Sequence, residues 1–185
     1  MIALEPLDPR AKRMTRIKRG LDLPVSGTPQ QVVGRAPVVR SVALVGTDYH
    51  GLKPTLVVQV GDRVKLGQTV MTDRKSPGVR YTAPAGGVVS AIHRGAQRVL
   101  QSVVIDVDGD EEEVFDAWSE ADLDTRSVAD VREMLLISGL WTALRTRPFS
   151  KVPAADATPS SIFVTAIDTH PLAAYPMSVM AEYAY

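Results

Sequence analysis

Between Val38 and Val107 short apolar runs alternate with glycine, proline and aspartate every handful of residues. The apolar runs are Val38–Val45, Thr55–Val60, Val64–Leu66, Thr69–Thr72, Val88–Ile92 and Val99–Val107, and Val79, Tyr81 and Ala83 alternate with polar residues. Pairs such as Gly61-Asp62, Pro77-Gly78 and Gly86-Gly87 mark turns between them. Short strands separated by frequent turns are typical of a small closed all-β unit. The pattern predicts such a domain over residues 15–110.

A helical pattern follows this domain after an acidic segment. The carboxylate-rich stretch DVDGDEEEVFDAW predicts a solvated connection, and we place a linker over residues 111–126. Ser127 and Asp130 have the spacing of a capping box, which predicts the start of a helix. Apolar residues at helical spacing follow, and Gly139 is the expected stop.

The last part of the chain predicts a second type of fold. The run SIFVTAID, Ser161–Asp168, is as apolar as a strand buried on both faces of a sheet. One strand and two helices do not complete a doubly wound sheet, so residues 127–185 are expected to form a truncated α/β, Rossmann-like domain. Residues 1–14, with two prolines among charges, predict a disordered lead-in. The predicted fold class is α+β.

Composition excludes several classes of function. The chain of 185 residues is 45% hydrophobic, enough to bury a core. Its 21 basic and 21 acidic residues balance, so its net charge does not favour nucleic acid as a partner. The lack of cysteine excludes disulfides, iron–sulfur ligation and cysteine nucleophiles. No apolar run approaches the roughly 18 residues of a membrane span, and the N-terminus lacks a secretory apolar region, so a soluble chain is expected.

One loop combines cations with aromatic rings. The stretch SGLWTALRTRPFSKVP, Ser138–Pro153, joins the predicted helix to the predicted strand, where an α/β protein often seats a phosphate on glycines. No glycine stands between Leu140 and Pro153. Three cations and two aromatic residues stand there instead: Arg145, Arg147, Lys151, Trp141 and Phe149. This set could bind an anionic or planar ligand through hydrogen bonds and stacking, or fill an interface between domains or subunits.

Other chemistry finds little support in the sequence. His50, His93 and His170 lack the spacing of metal ligands, so no metal site is predicted. Lys75, Arg94 and Arg98 could form a basic strip, but without interleaved aromatic residues such a strip is only a weak indication of nucleic-acid binding. No nucleophile, base and orienting group share a recognisable spacing, so no catalytic residue is assigned.

Four long phrases resemble one protein family. They are IKRGLDLPVSGTPQQ, VALVGTDYHGLKPTLVVQVGDRVKLGQ, RKSPGVRYTAPAGGVVSAIHRGAQRVLQSVVI and SGLWTALRTRPFSKVP. In this order they closely resemble the A subunit of the sodium-translocating NADH:quinone reductase, over roughly Met14 to Ala174. Members of that family are much longer, so the resemblance implies the N-terminal part of such a subunit.

The resemblance implies a fold for the first domain. It is similar to the barrel-sandwich hybrid domains of biotinyl and lipoyl carriers, whose modified lysine stands at the tip of a hairpin. The corresponding hairpin here is TDRKSPGVRYTAP. Ser76-Pro77-Gly78 is expected to occupy its tip, with Lys75 just off it, so neither lipoyl nor biotin is expected.

The second part resembles the flavin-binding subunit of respiratory complex I. The chain keeps the phrase Ser138-Gly139-Leu140 but has TALRTR where that subunit has the glycines that seat the flavin phosphate. Side chains at those positions would keep backbone N–H groups away from a phosphate. The resemblance therefore implies a degenerate flavin site that holds no FMN and transfers no hydride.

The resemblance also implies a function. The chain would be a peripheral subunit on the cytoplasmic face of the bacterial inner membrane, docked on integral membrane subunits and contributing to the binding of a quinone, with ubiquinone as the candidate substrate. NADH, flavins and sodium would be handled by other subunits, and the chain alone would not be catalytic. The expected quinone or partner site comprises Trp141, Arg145, Arg147, Phe149, Lys151, Asp168, Thr169 and His170. The alternatives are a barrel-sandwich carrier or scaffold module, with Lys75 as attachment point, and a flavoenzyme.

Overall fold

The computed structural model describes residues 26–27, 30, 32 and 34–165. Within them, Ala36–Ile162 forms one compact unit. Its strands are β1 (Ser41–Val45), β2 (Pro54–Leu56), β3 (Arg63–Val64), β4 (Thr69–Asp73), β5 (Ser76–Thr82), β6 (Gly87–Arg94) and β7 (Leu100–Val107). Its α-helices are α1 (Glu120–Leu123) and α2 (Val128–Ile137), and 3₁₀ turns cover Gly46–Asp48, Ala96–Arg98 and Leu140–Ala143.

The strands form two antiparallel sheets. The first sheet has the order β1-β7-β6-β3 and the second the order β2-β4-β5. The core is apolar, and its fully buried side chains are Met71, Ile105, Val64, Val70, Val79, Val89 and Val103. Along β5 the buried residues Val79 and Tyr81 alternate with exposed or half-buried ones, as in a strand with one face on a core. The predicted all-β domain of short strands is confirmed.

The hairpin between β4 and β5 corrects one prediction. Asp73 and Ser76 are its closing pair, so its tip is Arg74-Lys75 and not Ser76-Pro77-Gly78. Pro77 and Gly78 lie inside β5 at an irregularity, where Gly78 has a φ of 93°. Because β5 is an edge strand of its sheet, it tolerates a proline, which donates no hydrogen bond. The dipeptide makes a bulge rather than the turn.

Helix α2 begins and ends as the sequence predicts. The Ser127 N–H donates to the Asp130 carboxylate at 2.9 Å, and the Asp130 N–H donates to the Ser127 hydroxyl at 3.2 Å. Gly139 follows the helix with a φ of 79°. A second capping box, Ser119 with Asp122, starts the short helix α1 inside the predicted linker.

The first residues of the acidic segment contact the sandwich. The Leu66 N–H donates to the Glu111 carbonyl at 2.9 Å, and the Glu113 N–H donates to the Leu66 carbonyl at 2.8 Å. The ring of Phe115 lies beside Gly67. These residues therefore extend the sandwich at the end where β3 stops.

The predicted strand over Ser161–Asp168 is wrong in the part that the structure describes. Residues 161–165 have no regular secondary structure, and Ile162 is 66% exposed. Within the described part of the chain, no strand pairs with them. An apolar β-branched run forms a stable strand only when a neighbour supplies hydrogen bonds and burial. Residues 166–168 lie outside the described residues.

Candidate functional site

The loop from Leu140 to Pro153 leaves the end of α2 and carries five of the eight predicted site residues. Its central part, Thr146–Lys151, is closed by short-range hydrogen bonds. The Thr146 N–H donates to the Lys151 carbonyl at 2.8 Å, and the Ser150 N–H donates to the Thr146 carbonyl at 2.8 Å. The Thr146 hydroxyl adds a bond to the Lys151 carbonyl at 3.1 Å. The loop therefore holds its exposed side chains on an ordered backbone.

Trp141 belongs to the hydrophobic core. It is 5% exposed and lies in the same cluster as the buried residues of the sandwich. Its indole N–H donates to the Pro153 carbonyl at 2.9 Å, which satisfies the ring's one donor. The ring has no open face for a planar ligand, so its role in this structure is packing.

Arg145 lies against the sandwich domain. Its guanidinium donates to the carbonyls of Thr142 and Leu144, the latter at 3.2 Å. Its Cζ is 5.5 Å from the centroid of the Tyr49 ring, within the range of a cation–π contact. Tyr49 in turn meets Tyr81 edge-on, with ring centroids 4.7 Å apart and an angle of 80° between the planes. Arg145 therefore joins the loop to two aromatic rings of the β domain.

The two tyrosines are neutral near physiological pH. Burial, reinforced by the charge of Asp73, raises the pKa of Tyr81 to about 12. Burial also raises the pKa of Tyr49, against the opposing effect of the Arg145 charge. Sequence reasoning missed both rings because they are far from the loop in the chain. The alternation of Val79 and Tyr81 indicates a strand with one buried face, but no local pattern pairs Tyr81 with Tyr49 or with the loop.

Four members of the set are exposed: Arg145, whose contacts are given above, and Arg147, Phe149 and Lys151. The Phe149 side chain is 68% exposed, although it is a large apolar ring. The Lys151 ammonium lies 5.8 Å from the centroid of that ring. Asp168, Thr169 and His170 lie outside the described residues, so the structure does not bear on their predicted place beside the loop. We call Thr146–Lys151 the exposed loop.

A groove opens between β5 and α2. It has a volume of about 560 Å³ and includes none of the predicted site residues. Its lining consists of Gly78, Arg80, Val128, Ala129, Arg132, Glu133, Leu136 and Ile137. The sequence did not indicate it, because its two walls are far apart in the chain.

The phrase Ser138-Gly139-Leu140 does not fit a flavin phosphate. A Cβ atom on Gly139 would stand 2.4 Å from Oγ1 of Thr82, so the side of Gly139 that lacks a side chain packs directly against β5. Phosphate seats need backbone N–H groups that face an open cradle. Here the space beside the glycine is filled by the sandwich, and the loop beyond it carries long side chains in place of glycines.

Lys75 stands at the tip of the hairpin between β4 and β5. Its backbone N–H and that of Lys53 both donate to one oxygen of the buried Asp73 carboxylate, at 2.9 and 3.1 Å. Its ammonium donates to the Gly51 carbonyl at 2.8 Å. The tip is therefore fastened to the loop that follows β1.

Neither a metal centre nor a membrane-spanning helix occurs in the described part of the chain. Among those residues no three histidine, aspartate or glutamate side chains converge as metal ligands would. The helices described there are all too short or too polar to cross a membrane.

Comparison with known proteins identifies the family. Residues 15–108 match the NqrA N-terminal barrel-sandwich hybrid domain, and residues 126–185 match the NqrA second alpha/beta domain. The A subunit of the Na(+)-translocating NADH-quinone reductase from Pseudomonas aeruginosa strain UCBPP-PA14 is 67% identical over 169 residues, which are 91% of this chain and 38% of that protein.

Proteins of the same name from two further organisms agree. That of Saccharophagus degradans is 60% identical and that of Hahella chejuensis 57%, each over 169 residues with the same coverage. The chain thus spans 38% of the length of these relatives. The predicted fold class, a barrel-sandwich hybrid domain followed by an α/β domain, is confirmed by both matches. The chain belongs to the NqrA family.

Proposed function

We propose that the chain acts as a peripheral part of a sodium-translocating NADH:quinone reductase, docked on membrane subunits at the cytoplasmic face of the bacterial inner membrane. The names of its relatives support this assignment, since each is the A subunit of such a reductase. In this proposal NADH, flavins and sodium are handled by other subunits. The chain itself carries no redox cofactor, in keeping with the filled space beside Gly139.

The exposed loop is the observation that carries the docking proposal. Phe149 presents an apolar ring to solvent between two cations, Arg147 and Lys151. Aromatic and arginine side chains are enriched among the residues that dominate binding at protein interfaces. The hydrogen bonds of Thr146 order the loop in advance, which lowers the entropy that docking would otherwise cost.

The same loop is the proposed contact with quinone. A quinone is planar and carries two carbonyl oxygens, so it suits a phenyl ring flanked by hydrogen-bond donors. Arg147 and Lys151 would donate to the carbonyl oxygens, and the Phe149 ring would pack on the quinone plane. Trp141 and Arg145 would hold the loop in place, through the bond to the Pro153 carbonyl and the contact with Tyr49, rather than touch the ligand. Asp168, Thr169 and His170 remain predicted members of this site.

Removing the exposed ring and its neighbouring cation should release the chain from its complex. We expect the double variant Phe149→Ala/Arg147→Ala to reduce the co-purification of membrane subunits from native membranes in mild detergent by about tenfold or more, as for the loss of a residue that dominates an interface. NADH:quinone reductase activity in the captured fraction should fall in parallel. Partners identified by mass spectrometry and activity per unit of captured chain are the measurements.

A matched control removes an exposed apolar side chain and a cation elsewhere. Val114 is 85% exposed and Lys65 is also exposed, so Val114→Ala/Lys65→Ala should leave co-purification unchanged. Equal capture by both double variants would exclude the exposed loop as the docking site. Normal capture with weakened affinity for a quinone analogue would assign the loop to quinone alone.

A carrier or scaffold module is the second candidate function, and the position of Lys75 favours it. Modified lysines of biotinyl and lipoyl carriers stand at hairpin tips, and Lys75 occupies such a tip. The bond from its ammonium to the Gly51 carbonyl opposes this role, because a modified lysine must be free to move.

Intact mass separates the two candidates. We expect the chain isolated from its own host to have the unmodified mass, with Lys75→Arg leaving assembly with the membrane subunits unchanged. A lipoyl or biotinyl adduct that disappears in Lys75→Arg would overturn the leading proposal in favour of a carrier.

A further inference from the structure

The hairpin between β6 and β7 ends in a strained and basic turn. Gln97 has φ 54° and ψ 24°, and Arg98 has φ 61°, so two successive non-glycine residues adopt the left-handed conformation. The Val99 N–H donates to the Ala96 carbonyl at 3.2 Å across them. This is the arrangement of a type I′ turn, in which Asn-Gly is the relaxed pair. We call His93–Val99 the basic tip.

The strained turn carries exposed basic side chains, which indicates a functional role for the turn. Arg98 occupies the position at which glycine would be free of strain, and strained backbone is concentrated where a residue has a function. The Arg94 guanidinium donates to the Arg98 carbonyl at 3.2 Å, which ties the two arginine residues together. His93, Arg94 and Arg98 are exposed, and Val99 is 60% exposed beside them.

Charge is separated along the first sheet. From Ala91 to Ile105 the sequence has two arginines and no acid, whereas from Asp106 to Asp116 it has seven acids and no lysine or arginine. The register places these stretches at opposite ends, because Arg94 pairs with Leu100 and Gly87 pairs with Val107. Asp48, in the turn beside the start of β7, subtracts one charge from the basic end.

The acidic end lies where β3 stops. The backbone carbonyl of Glu111 and the backbone N–H of Glu113 hydrogen-bond there to the backbone of Leu66. The Arg63 guanidinium neutralises part of the charge through the carboxylates of Asp108 at 2.7 Å and Glu111 at 3.7 Å. Arg40 and Lys65 also lie at this end, yet the seven acids outnumber them and Arg63, so charge along the first sheet is asymmetric, with the basic tip at the positive end. Such a molecule turns its positive end toward an anionic surface.

We propose that the basic tip contacts the headgroups of anionic phospholipids at a membrane surface, with the acidic end directed away from it. A hairpin tip of seven residues is too small for a specific protein interface, which buries about 800 Å² on each partner. A lipid surface needs no such area, because arginine side chains act on it through its negative potential and an exposed valine enters the interfacial region. This inference goes beyond the proposed function, since lipid contact requires no partner protein.

Liposomes provide the test. Co-sedimentation of the full chain with vesicles of phosphatidylcholine containing about one third phosphatidylglycerol should exceed that with pure phosphatidylcholine, and should fall as salt is raised. The variant Arg94→Gln/Arg98→Gln should lower the partition coefficient on the anionic vesicles by roughly tenfold to thirtyfold. The control Arg40→Gln/Lys65→Gln removes two charges at the other end of the sheet, since Ser41 pairs with Asp106 and Val64 with Gly87. The control should bind like the parent chain.

Each outcome decides for or against the basic tip. A loss confined to Arg94→Gln/Arg98→Gln supports the proposal, provided that thermal melts show both variants folded. Equal losses in the two double variants would mean diffuse attraction and overturn it. Failure of the parent chain to bind anionic vesicles at low salt would also overturn it. If Arg94→Gln/Arg98→Gln binds vesicles like the parent chain but captures fewer proteins from membranes, the tip contacts an acidic protein partner and the lipid proposal is overturned. If the parent chain does not bind vesicles but still co-purifies with the membrane subunits, the lipid contact is overturned and the proposed function is not.

Discussion

Trp141→Ala is expected to lower the free energy of unfolding by about 3–5 kcal/mol, the range for a buried aromatic residue replaced by alanine. The ring is 5% exposed and belongs to the core cluster, against which Leu135, Leu144 and Val152 pack from the helix and the loop. Its removal leaves a cavity under the loop and leaves the Pro153 carbonyl without its donor. Urea or thermal unfolding followed by circular dichroism measures the change.

Two further variants show how much of this loss of stability comes from the buried ring and how much from its hydrogen bond. Trp141→Phe retains most of the buried area and loses the bond to the Pro153 carbonyl, so it should cost about 1–3 kcal/mol. Phe149→Ala removes an aromatic ring from the same loop at a site that is 68% exposed, and should change stability by less than about 0.5 kcal/mol. A Trp141→Ala chain as stable as Phe149→Ala would contradict the core assignment and return Trp141 to the candidate ligand contacts.

Local patterns were the part of the fold that the sequence predicted well. The alternation around Val79 and Tyr81 depends on neighbours two residues apart, and the capping box of Ser127 and Asp130 depends on neighbours three apart. Such patterns act within one element, so one sequence is enough to recognise them. The positive φ of Gly139 follows from the same local argument about helix ends.

Elements that depend on distant partners could not be predicted. Pro77-Gly78 has the composition of a turn, but the pairing of Asp73 with Ser76 makes it a bulge in an edge strand. The apolar run that begins at Ser161 lacks a pairing strand within the described residues and has no regular structure there. Both errors arose because strand pairing, rather than composition, decides whether such a segment is turn, bulge or strand.

The candidate site shows the same division. Its cations and rings were visible as a group, since they occupy one short stretch of sequence. Burial then separates them, because Trp141 packs into the core while Phe149 faces solvent. The contact of Arg145 with Tyr49 spans 96 positions of the sequence and carried no local pattern. A residue's type therefore predicted its chemistry, and only the fold decided which residues are available to a ligand.

Gly139→Ala is the second substitution with a large expected effect. An alanine there would adopt a φ of 79°, which costs an L-residue roughly 1–2 kcal/mol. Its Cβ would also stand 2.4 Å from Oγ1 and 2.7 Å from Cγ2 of Thr82 on β5, so the end of α2 must move away from the sandwich. Overpacking of this kind typically adds about 1–3 kcal/mol. We expect a total loss of about 2–5 kcal/mol in the free energy of unfolding, measured by urea denaturation.

Comparison with Gly61→Ala separates the two contributions. Gly61 has a φ of 95° and open space where a Cβ would lie, so its replacement measures the backbone cost alone. Thr82→Ala removes both atoms that clash, and the double variant Thr82→Ala/Gly139→Ala should therefore lose less than the sum of the single variants. Additive losses would mean that α2 does not press against β5 at this point. A positive coupling of about 1 kcal/mol or more would establish that this glycine brings α2 against the sandwich, a role that leaves no open cradle for a phosphate.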